Sequence, residues 1–151
     1  MQKLRGSAVS QKRHYSRMVV YLTRTESFNA AHQLWVKEWS EEQNCAVFGK
    51  CANKNFHGHN YELSVTIKGA PDPVTGWLMD VKKLGDLMKR HICDVLDHSN
   101  LNLDPTFLPA GVMPTTENLV VYIWRELLPH LPENCRLHRV HLQETPKIYA
   151  E

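Results

Sequence analysis

Seven residues, Tyr61-Glu62-Leu63-Ser64-Val65-Thr66-Ile67, alternate apolar and polar side chains without a break, and a period of two specifies a β-strand with one face buried and one wet. The strand is entered directly from His57-Gly58-His59-Asn60. An extended backbone therefore puts both imidazoles on one side of the sheet, two residues apart, with Gly58 between them leaving room for close approach. A β-rich run from Val19 to Phe28 supplies a partner strand and ends in Asn29-Ala30-Ala31-His32, so an antiparallel pairing would carry His32 toward the pair. Three neutral imidazoles with a fourth position open describe a catalytic rather than a structural zinc site. Taken alone, the His57-Gly58-His59 pair also reads as surface or core histidines, and His32 as a strand-end histidine satisfied by a hydrogen bond.

Beyond the strand, Pro71-Asp72-Pro73-Val74-Thr75-Gly76 is a turn. Asp80 can cap a helix whose Val81, Leu84, Leu87, Met88, Ile92 and Val95 share one face, and which ends near Asp97-His98. A second helix follows Pro114, with Thr115 or Thr116 as cap, Glu117 in the first turn, and Leu119, Tyr122, Ile123 and Leu127 as its apolar face; Pro129 and Pro132 end it. Leu137 to Glu144 predicts a closing strand, with His138, Val140, Leu142 and Glu144 on one face and Leu137, Arg139, His141 and Gln143 on the other. Strands, two helices and a strand make an α+β domain with an antiparallel sheet over residues 18–151.

Residues 1–17 carry Lys3, Arg5, Lys12, Arg13 and Arg17 with no Asp or Glu, so the formal net charge of +2 hides a body that is net acidic. The leader reads as a disordered tail, an organelle-targeting peptide, or residues upstream of a start at Met18. An acidic body without a basic stripe predicts no nucleic-acid partner. No run approaches the roughly 20 apolar residues of a membrane span, which predicts a soluble protein of the cytoplasm, or of an organelle if residues 1–17 are a targeting peptide. The four cysteines form no Cys-x-x-Cys pair, the usage of a reducing compartment.

Three further positions offer chemistry. Cys51 lies six residues before His57, and a loop of that length can fold its thiol back as a base beside the metal; an isolated cysteine is otherwise a small apolar residue. Asp97-His98 pairs a carboxylate that can orient an imidazole for proton transfer with a place where a histidine merely complements a helix dipole. Glu144 sits on the apolar face of its strand, where a carboxylate either reaches solvent at the strand end or meets a ligand with paired N–H donors, such as the edge of a pterin.

Taken together, Phe28-Asn-Ala-Ala-His32, Phe48-Gly-Lys-Cys51, His57-Gly-His-Asn-Tyr61, Asp80, Leu96-Asp-His-Ser-Asn-Leu101, Thr115-Thr-Glu-Asn118 and Glu144-Thr-Pro146 resemble the 6-pyruvoyl tetrahydropterin synthase family over about residues 19–149. The resemblance implies the tunnelling fold (T-fold), with two helices on one face of the sheet and sheets of several subunits closed into a barrel in a homohexamer. It implies zinc held by His32, His57 and His59, Cys51 as the base, and Asp97 and His98 of a neighbouring subunit completing proton transfer. Glu144 becomes the pterin anchor, with Thr115, Thr116 and Glu117 as secondary contacts. The implied reaction turns 7,8-dihydroneopterin triphosphate into 6-pyruvoyl tetrahydropterin with loss of triphosphate and no external redox cofactor.

Two alternatives stand beside it. One is the sister activity on the same fold, 6-carboxytetrahydropterin synthase of deazapurine biosynthesis, in which the cysteine typically sits closer to His-Gly-His. The other is a non-catalytic zinc- or pterin-binding module, which would have no need of Cys51 or Asp97-His98. Two departures from the family pattern predict local change. Phe56 stands where the animal synthases carry glycine, and the asparagine usual three residues beyond Glu144-Thr145 is replaced, which predicts a reshaped metal loop and a shortened last strand.

Overall fold

The computed structural model describes residues 18–104 and 107–151; the predicted basic leader, residues 1–17, lies outside the described residues. Strand β1 (Val20–His32) pairs antiparallel with β2 (His57–Gly69), which pairs antiparallel with β4 (Cys135–Thr145), and β5 (Ile148–Ala150) folds back on β4. The two-residue strand β3 (Ser99–Asn100) pairs parallel with β1 at Ala30 and Ala31, giving the order β3-β1-β2-β4-β5. Among the described residues the rest of that edge of β1 has no strand partner.

The period of two in β2 works as the sequence requires: Tyr61, Leu63, Val65 and Ile67 are fully buried on the inner face. Helices α2 (Val81–Met88) and α3 (Thr116–Leu127) cover that face through Leu84, Met88, Leu119, Ile123 and Leu127. Truncating any of these to alanine costs about 2–5 kcal/mol. Asp80 caps α2 by accepting from Lys82 N, and Thr115, not Thr116, caps α3 by accepting from Asn118 N. On the outer face polar side chains pair across strands, Thr23 with Thr66 at 2.9 Å and Thr25 with Ser64 at 2.7 Å.

Four expectations are corrected. The closing strand does not alternate uniformly: Thr66 opposes Arg139 while Ile67 opposes Leu137, so His138 is an extra, bulged residue. Leu137 and Cys135 consequently face inward with Val140 and Leu142, and His138 faces out. The face predicted for the first long helix also shifts. In an unbroken α-helix Val95, eleven residues after Leu84, returns to within about 20° of it. Here a π turn (Lys89–Cys93) separates Met88 from the last turn (Asp94–Leu96), so Leu96 is buried instead, and Val95 and Val81 are exposed.

The third correction is an additional helix, α1 (Glu41–Phe48), which lies in the excursion between β1 and β2 with only Asn44 buried. Its charged and exposed residues give no apolar period to read. The last concerns the chain's end. The departure after Glu144-Thr145 closes a hairpin, with β5 returning so that Gln143 opposes Tyr149 and Thr145 opposes Ile148. Among the described residues no helix is long and apolar enough to cross a membrane.

Candidate metal centre and active site

Register brings the three histidines together. In the β1–β2 ladder His32 lies directly opposite His57, and Ala30 opposite His59, so all three imidazoles stand on the inner face at one end of the sheet. Their ring centroids are 4.5 Å (His32–His57), 5.1 Å (His32–His59) and 5.0 Å (His57–His59) apart. Glu144 joins them from β4. It is the residue without a counterpart in the shift between Gln143 and Thr145, and a bulge of this kind re-aims a side chain.

Glu144 Oε1 is 2.8 Å from His59 Nε2, without the alignment of a hydrogen bond, and 3.5 Å from His32 Nε2. Its other oxygen accepts a short hydrogen bond from the Thr116 hydroxyl. One donor atom from each of His32, His57, His59 and Glu144 lies within 4.8 Å of all the others.

The donor set fits a metal ion. His32 is almost fully buried, and its Nδ1 donates to the Pro114 carbonyl at 2.8 Å, which fixes the tautomer and leaves Nε2 with its lone pair. His32 Nε2, both nitrogens of His57 and His59 Nε2 are buried and have no hydrogen-bond partner. Buried imidazole nitrogens are rarely left so, and one metal ion would satisfy His32 Nε2, one nitrogen of His57 and His59 Nε2 together.

Burial first, and then the neighbouring His32 and His59 rings, hold the His57 imidazole below its ordinary value, with Glu144 opposing. Burial also lowers His59, against the pull of Glu144. Contact with His32 foremost, then the Thr116 hydroxyl and His59, drops the Glu144 carboxyl to about 2, although burial works the other way. The cluster at neutral pH is thus two unprotonated imidazoles of depressed basicity, a third whose free nitrogen faces the others, and a carboxylate.

Beneath the cluster Tyr61 packs edge-on to His59, and burial, then Glu144, pushes its phenol well above the usual range. Sequence reasoning treated Tyr61 only as a core residue and did not find Pro114, whose carbonyl is 82 residues from His32.

Of the other predicted residues, Thr116 touches the cluster through Glu144, and Cys51, Asp97 and His98 lie outside the four-residue group. Cys51 sits in a 3₁₀ turn (Gly49–Ala52), half-buried and outside the four-residue group. The excursion carrying it begins at His32 and ends at His57, and it is drawn together at the base: the Cys51 carbonyl accepts from Leu34 N at 2.9 Å and the Ala52 carbonyl from Gln33 Nε2 at 2.9 Å. Asn44 pins the outer part by hydrogen bonds in both directions with Val36. Phe56 adopts φ 62°, the left-handed backbone that glycine takes freely and a phenylalanine adopts only under strain, at the turn into His57.

Asp97 and His98 are exposed at the β3 edge. Asp97 accepts from Asn29 N at 2.8 Å through one oxygen and faces His98 Nδ1 at 2.8 Å through the other. The Asn29 amide foremost, and then His98, hold the Asp97 carboxyl below its usual value. The pair is therefore anchored through Asp97 to the Asn29 amide and is open to solvent. Thr116 touches Glu144, Thr115 is engaged as a cap, and Glu117 is exposed in the first turn of α3.

Comparison with known proteins agrees with this geometry. The family model described as 6-pyruvoyl tetrahydropterin synthase matches residues 21–151. A 6-pyruvoyl tetrahydrobiopterin synthase of Homo sapiens is 44% identical over 124 residues, covering 82% of this chain and 84% of that protein. One of Dictyostelium discoideum is 42% identical over 131 residues, covering 87% and 93%. The solved structure of Caenorhabditis elegans 6-pyruvoyl tetrahydropterin synthase superposes with a TM-score of 0.78 at 37% identity, covering 88% of this chain and 94% of that one. A match across nearly all the described residues, with the histidine cluster on the same fold, means that the chain belongs to the 6-pyruvoyl tetrahydropterin synthase family.

Proposed function

We propose that this chain converts 7,8-dihydroneopterin triphosphate to 6-pyruvoyl tetrahydropterin with elimination of triphosphate. The observation that carries the reading is the set of orphaned imidazole nitrogens of His32, His57 and His59, buried beside a carboxylate that a threonine holds in place. When bound there, zinc supplies Lewis acidity toward the hydroxyls of the pterin side chain.

The chain's own residues supply the rest. Glu144, with one oxygen held by Thr116, presents its carboxylate to the N–H edge of the pterin, a charge-assisted two-point contact. Thr115, Thr116 and Glu117 at the start of α3 line the same approach. Cys51 removes the side-chain proton, from a turn in the excursion that runs between the ligands His32 and His57. Asp97 and His98 are exposed at the β3 edge and lie outside their own chain's four-residue cluster, and in this reading they serve the site of a neighbouring subunit in a homohexamer; the edge of β1 that has no strand partner among the described residues supports association.

The test is product analysis after incubating the zinc-loaded chain with 7,8-dihydroneopterin triphosphate. The expected products are triphosphate and the 6-pyruvoyl pterin, and mixing Cys51→Ala with His98→Ala chains should restore part of the lost turnover. A 6-carboxy product would move the chain to the sister activity. Pterin binding without turnover would make it a binding module.

A further inference from the structure

A second constellation of ligating side chains lies far along the chain from the first. The π turn Lys89–Cys93 carries His91, and the 3₁₀ turn Leu128–His130 at the end of α3 carries His130, one helical turn beyond Glu126. His91 Nδ1 and His130 Nε2 approach the same atom, Glu126 Oε1, at 3.2 Å and 3.6 Å. The two rings stack with centroids 3.7 Å apart at 25°, and the three donor atoms all lie within 4.8 Å of one another.

Hydrogen bonding accounts for only half of this arrangement. His91 is within reach of the carboxylate, but 3.6 Å is beyond a hydrogen bond for His130. Ring stacking accounts for the His91–His130 contact. Donors bonded at about 2.1 Å to a tetrahedral ion stand about 3.4 Å from one another, so the carboxylate stands at a ligand's distance from each imidazole, and opening the ring stack would let both turn onto one ion.

The local backbone is also unusual, since π turns inside helices are rare and recur at functional sites. Here the turn sets the imidazole of His91 against the end of α3. The side chain of His91 is 20% exposed, that of His130 35% and that of Glu126 44%, so water can reach the cluster and complete a coordination shell.

We propose that His91, Glu126 and His130 form a second metal site, for a borderline divalent ion such as zinc, nickel, cobalt or copper. Two imidazoles and one carboxylate favour these ions over magnesium and calcium, which take oxygen donors. The site is separate from the histidine cluster of the sheet and independent of the proposed reaction. Its effect is mechanical: one ion ties the π turn to the C-terminal end of α3. Three protein ligands open to water bind less tightly than a buried set, so this ion is the second to load and the first to leave.

The test uses the full chain, stripped with chelator and titrated with zinc chloride in equilibrium dialysis. The wild type should take up about two ions per chain. The double variant His91→Gln/His130→Gln should keep the tighter ion and lose the weaker, and Glu126→Gln should weaken the second ion at least tenfold while leaving the first unchanged. A control pair, His138→Gln/His141→Gln, should retain both.

A second readout is thermal unfolding of His57→Ala, in which zinc should still raise the midpoint, and no longer do so once His91 and His130 are also replaced. Saturation of the wild type at one ion, two ions surviving in His91→Gln/His130→Gln, or loss of the second ion in the control pair would each overturn the assignment.

Discussion

Replacing His57 with leucine should make the metal-free protein more stable and the metal-loaded protein less so. Both His57 nitrogens are buried without a partner, and an unsatisfied buried polar atom costs about 1–3 kcal/mol. Leucine has a similar volume and no polar atom. With relaxation and partial hydration of the ring allowed for, His57→Leu should therefore gain about 1–3 kcal/mol in chelator. In wild type, free zinc at about 1,000 times its dissociation constant adds about 4 kcal/mol, most of which the variant forgoes because it lacks a ligand.

The order of stability thus reverses between the two conditions. Urea unfolding followed by far-UV circular dichroism, at one fixed protomer concentration with and without zinc, measures both arms. A loss of more than about 1 kcal/mol in chelator would refute the reasoning, because removing two unpaired buried nitrogens also removes their desolvation cost. Equal zinc stabilisation of variant and wild type would show that His57 is no ligand.

Stability of the chelated protein should also fall with acidification in two stages. His57 and His59 are held below their ordinary value of 6.5, so the unfolded chain takes up more protons and stability drops as pH falls from 6.5 through the lowered folded values. Glu144, at about 2 instead of 4.5, contributes stability that is lost as pH falls from 4.5 through 2. Urea midpoints measured from about pH 8 to 3 would contradict this by staying flat between about 7 and 5. Catalytic roles separate by titration with the unreactive pterin biopterin: Cys51→Ala should bind it with wild-type affinity while turnover collapses, and Glu144→Ala should lose about 2–5 kcal/mol of binding. The opposite pattern in calorimetry would reverse the two assignments.

Local sequence determined much of this protein. The alternation of residues 61–67 put four side chains into the core and, carried back through Gly58, put His57 and His59 on the same face. The caps Asp80 and Thr115 and the apolar face of α3 were legible for the same reason, because each depends on spacing within one turn or one pleat. Glu144 could be placed on the inner face with Val140 and Leu142, since all three follow the bulge at His138.

What the sequence could not decide depended on a partner far along the chain. That His32 meets His57 is a matter of strand register, and that its free nitrogen is Nε2 depends on the carbonyl of Pro114. Leu137 and His138 exchanged faces because β4 must insert one residue against β2 to keep both halves of its apolar set inside. Val95 gave way to Leu96 through a π turn that no periodicity announces. A period of about 2 or 3.6 fixes which side chains share a face only while the backbone stays regular. Bulges, π turns and register are set by packing against the neighbouring element, and only the tertiary structure contains that neighbour.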